Sequence, residues 1–198
     1  SSRFSSRNRF VAQYLQRDEL ATLLFDLLTK QEEEIDNYTM KLRFDIGLLA
    51  GRLAGVTEWV ASREETRNLA VGYFGASTGA AAALIAETRN PAAVHAIVSR
   101  GGRPDLAGQA LERVQAPTLL IVGGNDHQVI LLNEQALDQM NAPKKMVIVP
   151  GATHLFEEPG TLESAAQLAS QWFRQYPNRI VEAGATQFPA EAPDIGKG

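Results

Sequence analysis

Ser77 stands at the centre of Gly75-Ala76-Ser77-Thr78-Gly79, a Gly-x-Ser-x-Gly pentad. It follows the apolar run Leu69 to Phe74 and leads straight into Ala80-Ala81-Ala82-Ala83-Leu84-Ile85. A reversal that tight, from strand into helix, holds the serine in a strained backbone conformation and lifts its hydroxyl clear of the chain. The flanking Gly75 and Gly79 are expected because a larger side chain would collide with neighbouring backbone. The chemistry open to such a serine is nucleophilic attack on a carbonyl. The N–H of Thr78, at the start of the helix, would then stabilise the charge that develops on the carbonyl oxygen. By chance alone the pentad turns up roughly once in fifteen chains of this length, so its place at a strand–helix junction is what gives it meaning.

A serine hydroxyl needs a base to take its proton and a carboxylate to orient that base. Of the three histidines, His95 lies inside an apolar run and reads as a packed or edge residue. His127 directly follows Asp126 and reads as a polar residue at a pocket rim. His154, in Gly151-Ala152-Thr153-His154, comes just after the last apolar run, at the edge where open α/β sheets bind ligands. Asp126 likewise follows Pro117 to Gly123 through Gly124-Asn125. The chain order Ser77, Asp126, His154 is the order that a serine elbow of this type uses. Asp26 is the competing acid, but it precedes the serine. Glu157 and Glu158 could touch His154 or cap the helix at Thr161, the structural role being the expected one. Arg100 and Arg103, beyond the third apolar run, could hold a substrate carboxylate through paired hydrogen bonds.

These residues need a parallel sheet to bring them together, and apolar runs alternating with amphipathic segments predict one. The expected strands are Leu20–Leu27, Leu69–Phe74, Ala93–Ser99, Pro117–Gly123 and Lys145–Pro150. The expected helices are Asn8–Asp18, Thr39–Glu64, Thr78–Thr88, Leu106–Val114, Val129–Met140 and Thr161–Gln175. Gln31 to Asp36 reads as a solvated acidic connection, because consecutive carboxylates do not converge on a metal. Residues 1–176 form one α/β core without internal repeats, and Pro177 to Gly198 is expected to be a mobile tail.

With 198 residues, 44 % hydrophobic and 21 % charged, the chain can bury a sizeable core. Its 19 basic and 23 acidic residues give a net charge of −4 with no basic face, which argues against nucleic-acid or anionic-membrane partners. The absence of cysteine rules out disulfides, thiolate metal sites and a cysteine nucleophile. No apolar stretch approaches the ~20 residues needed to span a bilayer, and no signal-peptide pattern opens the chain. A cytoplasmic location is the simplest expectation. Without an initiator Met, the chain reads as a fragment.

Together the motifs resemble the dienelactone-hydrolase-like branch of the α/β-hydrolase superfamily, from about Ser1 to Tyr176. The resemblance is carried by Gly72-Tyr73-Phe74-Gly75-Ala76-Ser77-Thr78-Gly79, Ser99 to Leu106, Leu120 to Asp126 and Pro150 to Gly160. It implies a three-layer fold, Ser77 as nucleophile, Asp126 as acid, His154 as base and no cofactor. The expected substrate is a small carboxylic ester or lactone, cleaved through an acyl-enzyme, and a second copy of the chain is an allowed partner. An acyltransferase using the same triad and a non-catalytic binding module are the alternatives. Two departures stand out. The better-known dienelactone hydrolases use cysteine where this chain has Ser77, so dienelactone itself does not follow as substrate. Members of the branch also carry, ahead of the point where this chain begins, a strand and a His-Gly turn that supplies the second oxyanion amide. That strand lies between the counterparts of Leu20–Leu27 and Leu69–Phe74, so without it the chain would have to repack or borrow a strand.

Overall fold

A computed structural model describes residues 2–177, and the expected tail lies beyond them apart from Pro177. Four parallel strands form one sheet: β1 (Val71–Ser77), β2 (Val94–Gly102), β3 (Thr118–Gly123) and β4 (Lys144–Val149), in the order β1-β2-β3-β4. Helices α1 (Ser6–Arg17), α2 (Lys30–Thr39), α3 (Ile46–Ser62), α4 (Thr78–Arg89), α5 (His127–Gln139) and α6 (Thr161–Gln175) complete it. All four strands are parallel, so their carboxyl ends share one edge, and Ser77 and the loops holding Asp126 and His154 leave the sheet there.

Neighbouring residues on a strand point to opposite faces, and the two faces build two cores. Ile97 packs with Leu49, Tyr73, Ala82, Leu84 and Leu111, drawing in α3 and α4. Val98 packs with Val11, Leu15, Leu119, Ile121 and Trp172, drawing in α1 and α6. The result is the three-layer α/β architecture that the alternating pattern implies. Ala80 to Ala83 are all but fully buried, and their small side chains let α4 lie close against the sheet. Among the described residues no helix is long and apolar enough to cross a membrane.

Three expected elements come out differently. Leu20–Leu27 is no strand: it joins no ladder, and Leu23 and Leu24 are exposed. It passes instead from the α1–α6 core, where Leu20 packs, to the α3–α4 core, where Leu27 and Leu28 pack. Side chains fasten it, through Gln16 to the Thr22 hydroxyl (2.6 Å) and Arg52 to the Leu27 carbonyl (2.7 Å). A strand needs a ladder partner, and among the described residues β1 pairs only with β2.

The expected helix Thr39–Glu64 is divided, because Asp36 captures the chain that follows it. This buried carboxylate accepts from the amides of Leu42 (2.7 Å) and Arg43 (3.1 Å) and from Arg43 Nε (2.5 Å). Met40 adopts a left-handed φ of 52°, and Asp45 restarts the helix by accepting from Leu48 N (3.0 Å). The acidic connection is thus the helix α2. Thr29 and Glu32 form its reciprocal N-terminal cap, and Arg52 grips Glu32 with both terminal nitrogens (2.6 and 2.5 Å). The expected helix Leu106–Val114 is a 3-10 stretch, Pro104–Arg113, broken at Gly108.

The hydrogen bonds from Arg52 and Thr29 hold the Glu32 carboxyl at about 2, well below the usual range. Stability from this contact is therefore complete above the ordinary glutamate value and is lost as pH falls towards about 2. Glu32→Gln is expected to lower Tm by a few degrees at neutral pH. In acid-titrated thermal melts that difference should narrow steadily as pH falls below the ordinary glutamate value.

Candidate active site

The strand–helix junction is built around one contact. A methyl group on Gly75 would lie 2.6 Å from the Gly79 carbonyl and 2.7 Å from the Ala80 backbone, so only glycine lets β1 and α4 meet there. Between them Ser77 takes φ 52° and ψ −127°, a conformation that costs a side chain about 1–3 kcal/mol. Ser77 is exposed, and its side chain is not spent on capping α4. Thr78 opens that helix, and its amide is one of those that a helix N-terminus leaves without an intrahelical acceptor. The steric expectation for Gly79 does not hold: a methyl there would meet nothing within 4 Å.

Asp126 and His154 are joined, with His154 Nδ1 2.7 Å from Asp126 Oδ2. In the tautomer that lets Nδ1–H donate to the carboxylate, Nε2 is left free to act as acceptor. The aspartate side chain is largely covered (16 % exposed), whereas the histidine is open at 42 %. The two loops are sewn together beyond the strand ends. Gly124 N donates to Val149 O (2.9 Å), Asn125 N to Ala152 O (2.9 Å) and Asn125 Nδ2 to Gly151 O (3.0 Å). Gly123 permits this approach, since a methyl there would stand 2.5 Å from Ala152 O.

His154 also lies against the strand end that pairs with Ser77. Ser77 pairs with Gly102, and a methyl on the preceding Gly101 would lie 3.0 Å from the His154 carbonyl and 3.8 Å from Nδ1. Arg103 N donates to Ser77 O at 3.0 Å. No hydrogen bond joins Ser77 to His154 among the described residues, and contacts of this kind commonly tighten only when substrate arrives.

The histidine loop has its own supports. Glu158 accepts from Thr153 Oγ1 (2.6 Å) and Thr153 N (3.0 Å), and these bonds hold its carboxyl below the usual range. Its carbonyl accepts from the Thr161 hydroxyl at 2.7 Å, so Glu158 has the structural role expected of it. Glu157 pairs with Arg7 of α1 (2.6 Å), and the buried Phe156 anchors the turn at φ 56°. His95 and His127 take no part in this group. His127 is the first residue of α5, and His95 lies at the start of β2. Asp26, the competing acid, pairs with Arg3.

The two arginines differ. Arg103 holds Asp105 through Nε (2.8 Å) and Nη2 (2.7 Å), and those bonds raise its pKa further. Arg100 is 6 % exposed and lies 5.8 Å over the Phe74 ring, and among the described residues its Nη1 has no hydrogen-bond partner. Burial first and the charge of Arg7 second push it down to about 10. Sequence reading took the glycines ahead of Asp126 as a turn and gave no role to Asn125 or Phe156, which act through contacts across the fold.

Residues 10–177 match the dienelactone hydrolase family. A crystal structure of dienelactone hydrolase from Anabaena variabilis is 61 % identical, with a TM-score of 0.87, covering 90 % of this chain and 82 % of that one. Two Mycobacterium tuberculosis sequences, carrying the provisional name phosphoribosyl transferase, are 57 % identical over 173 residues. The match covers 87 % of this chain but 38 % of theirs, so the chain spans well under half the length of those relatives. The esterase domain of a Rhodothermus marinus protein shares the fold at 18 % identity, with a TM-score of 0.67 over 87 % of this chain and 80 % of that one.

The two glycines of the elbow separate the steric requirement from the motif. Gly75→Ala is expected to destabilise the protein by at least ~2 kcal/mol through overpacking. Gly79→Ala is expected to be neutral or to stabilise by up to ~1 kcal/mol, because helix propensity rises where space is open. Urea unfolding of both variants measures the contrast, and equal losses would contradict it.

Proposed function

Because the chain belongs to the dienelactone hydrolase family, we propose that it hydrolyses a small carboxylic ester or lactone through an acyl-enzyme on Ser77. The Asp126–His154 contact, at the same edge of the sheet as a strained and exposed serine, is the observation that carries this reading. His154 Nε2 takes the proton as the Ser77 oxygen attacks the carbonyl carbon. The Thr78 amide stabilises the oxyanion. The proton then passes to the leaving alkoxide, and a water molecule, activated by the same imidazole, releases the acid and regenerates the serine. Asp126 fixes the ring's tautomer throughout.

For a substrate that carries a carboxylate, Arg100 is the guanidinium with hydrogen-bonding capacity to spare. Arg103 would have to exchange Asp105 for the substrate. No step requires a metal or cofactor. The natural acyl donor remains one of a class, small esters and lactones, set by the loops around Ser77.

An activated-ester probe is expected to label the full-length protein at Ser77 and to leave Ser77→Ala unlabelled; equal labelling of the two sinks the scheme. Asp126→Asn is expected to lower kcat about 10⁴-fold with KM little changed, as loss of the correct imidazole tautomer does in such triads. Steady-state hydrolysis of a nitrophenyl ester measures it.

A further inference from the structure

Immediately behind the elbow lie two polar side chains in a setting that is otherwise apolar. Asn133, midway along α5, is wholly buried and donates from Nδ2 to the Gly102 carbonyl (3.0 Å) and to Val129 O (2.8 Å). Ser99 is also buried, and its hydroxyl presses so closely on Gly102 that no side chain would fit there. Among the described residues Asn133 Oδ1 and Ser99 Oγ have no hydrogen-bond partner.

What asparagine supplies is a tie between two elements. Gly102 is the residue paired with Ser77, and the next amide, Arg103 N, donates to Ser77 O. Helix α5 begins directly after Asp126, its N-cap. The Asn133–Gly102 bond therefore joins the helix that carries the acid to the strand end that holds the nucleophile. Among the described residues no hydrogen bond joins Asn133 to Asp126 or Ser77 directly.

The geometry points to Asn133 as a positioning residue that sets the spacing between Ser77 and the Asp126–His154 pair. This inference rests on the hydrolase reading above. Misplacing reacting groups by about 1 Å costs up to ~10²-fold in rate, and that is the range in which loss of the tie should register.

The test uses the full-length protein and a nitrophenyl ester. Asn133→Leu, which keeps the volume and removes both bonds, is expected to lower kcat by ~10-fold or more while KM stays within about twofold. Ser170→Ala removes a buried hydroxyl that donates to Asp18 between α6 and the end of α1. It serves as a destabilised control whose kcat should remain at the wild-type level. Asn133→Asp gives an independent arm: the protonated acid still donates to the Gly102 carbonyl, and the ionised form repels it. Its activity relative to wild type should therefore fall as pH rises, even if Asn133→Leu does not fold. A wild-type kcat in Asn133→Leu, or a relative activity of Asn133→Asp that is flat with pH, assigns Asn133 to packing and overturns the inference. Absence of Ser77 labelling in the wild-type protein overturns the nucleophile assignment itself, and with it the role given to Asn133.

Discussion

The contact between Gly75 and the first turn of α4 is the constraint on which the site depends. With no side chain on Gly75, the backbone of β1 meets the Gly79 carbonyl and Ala80 directly. A strand can turn into a helix across so short a span only if the residue between them leaves the ordinary regions of φ and ψ. Ser77 is that residue. Its strain persists because Ala80 to Ala83 bury themselves against the sheet and the Gly102–Arg103 backbone holds it from the side. A larger residue at position 75 would part β1 from α4, and the serine could then relax into a conformation that no longer presents its hydroxyl.

The second requirement is that a histidine from the last strand reach a serine on the first. His154 follows β4, which lies at the far side of the sheet from β1, with β2 and β3 between them. The loop after β4 covers this distance by folding back over the end of β3, where Gly123 leaves room for the Ala152 and Thr153 carbonyls. Asn125 continues the pairing of β3 and β4 beyond their ends, so the loops holding Asp126 and His154 are tied together. Glu158, Phe156 and the Arg7–Glu157 pair fasten the far side of the loop to the body of the protein.

Ser77, Asp126 and His154 could be read from the sequence because each is announced locally. An apolar run ends, glycine permits a turn, and the next polar residue emerges at the carboxyl edge. The four strands of the sheet were legible for the same reason. Leu20–Leu27 was not, because its apolar composition fits a strand but a ladder needs a neighbour, and pairing is not a property of a segment. The break within the expected helix Thr39–Glu64 was hidden as well. Its cause is the carboxylate of Asp36, which reads as one more acidic residue in a charged run until the fold buries it against Leu42 and Arg43. Asn133 shows the same limit at the site: nothing around it in sequence signals that its amide will meet Gly102.

Arg100 and Arg103 stand three residues apart and looked interchangeable, yet their surroundings assign them to different tasks. Arg103 has a fitted two-point partner in Asp105 and so contributes to the local structure. Arg100 is a buried cation whose nearest compensation is the face of Phe74 and whose charged neighbour, Arg7, has the same sign. A desolvated charge of this kind costs several kcal/mol, and an aromatic face returns only about 0.5–2. That position lies next to Ala76 in the sheet, one residue before Ser77, and this adjacency is why Arg100, and not Arg103, is the one proposed to meet an anionic group on the substrate.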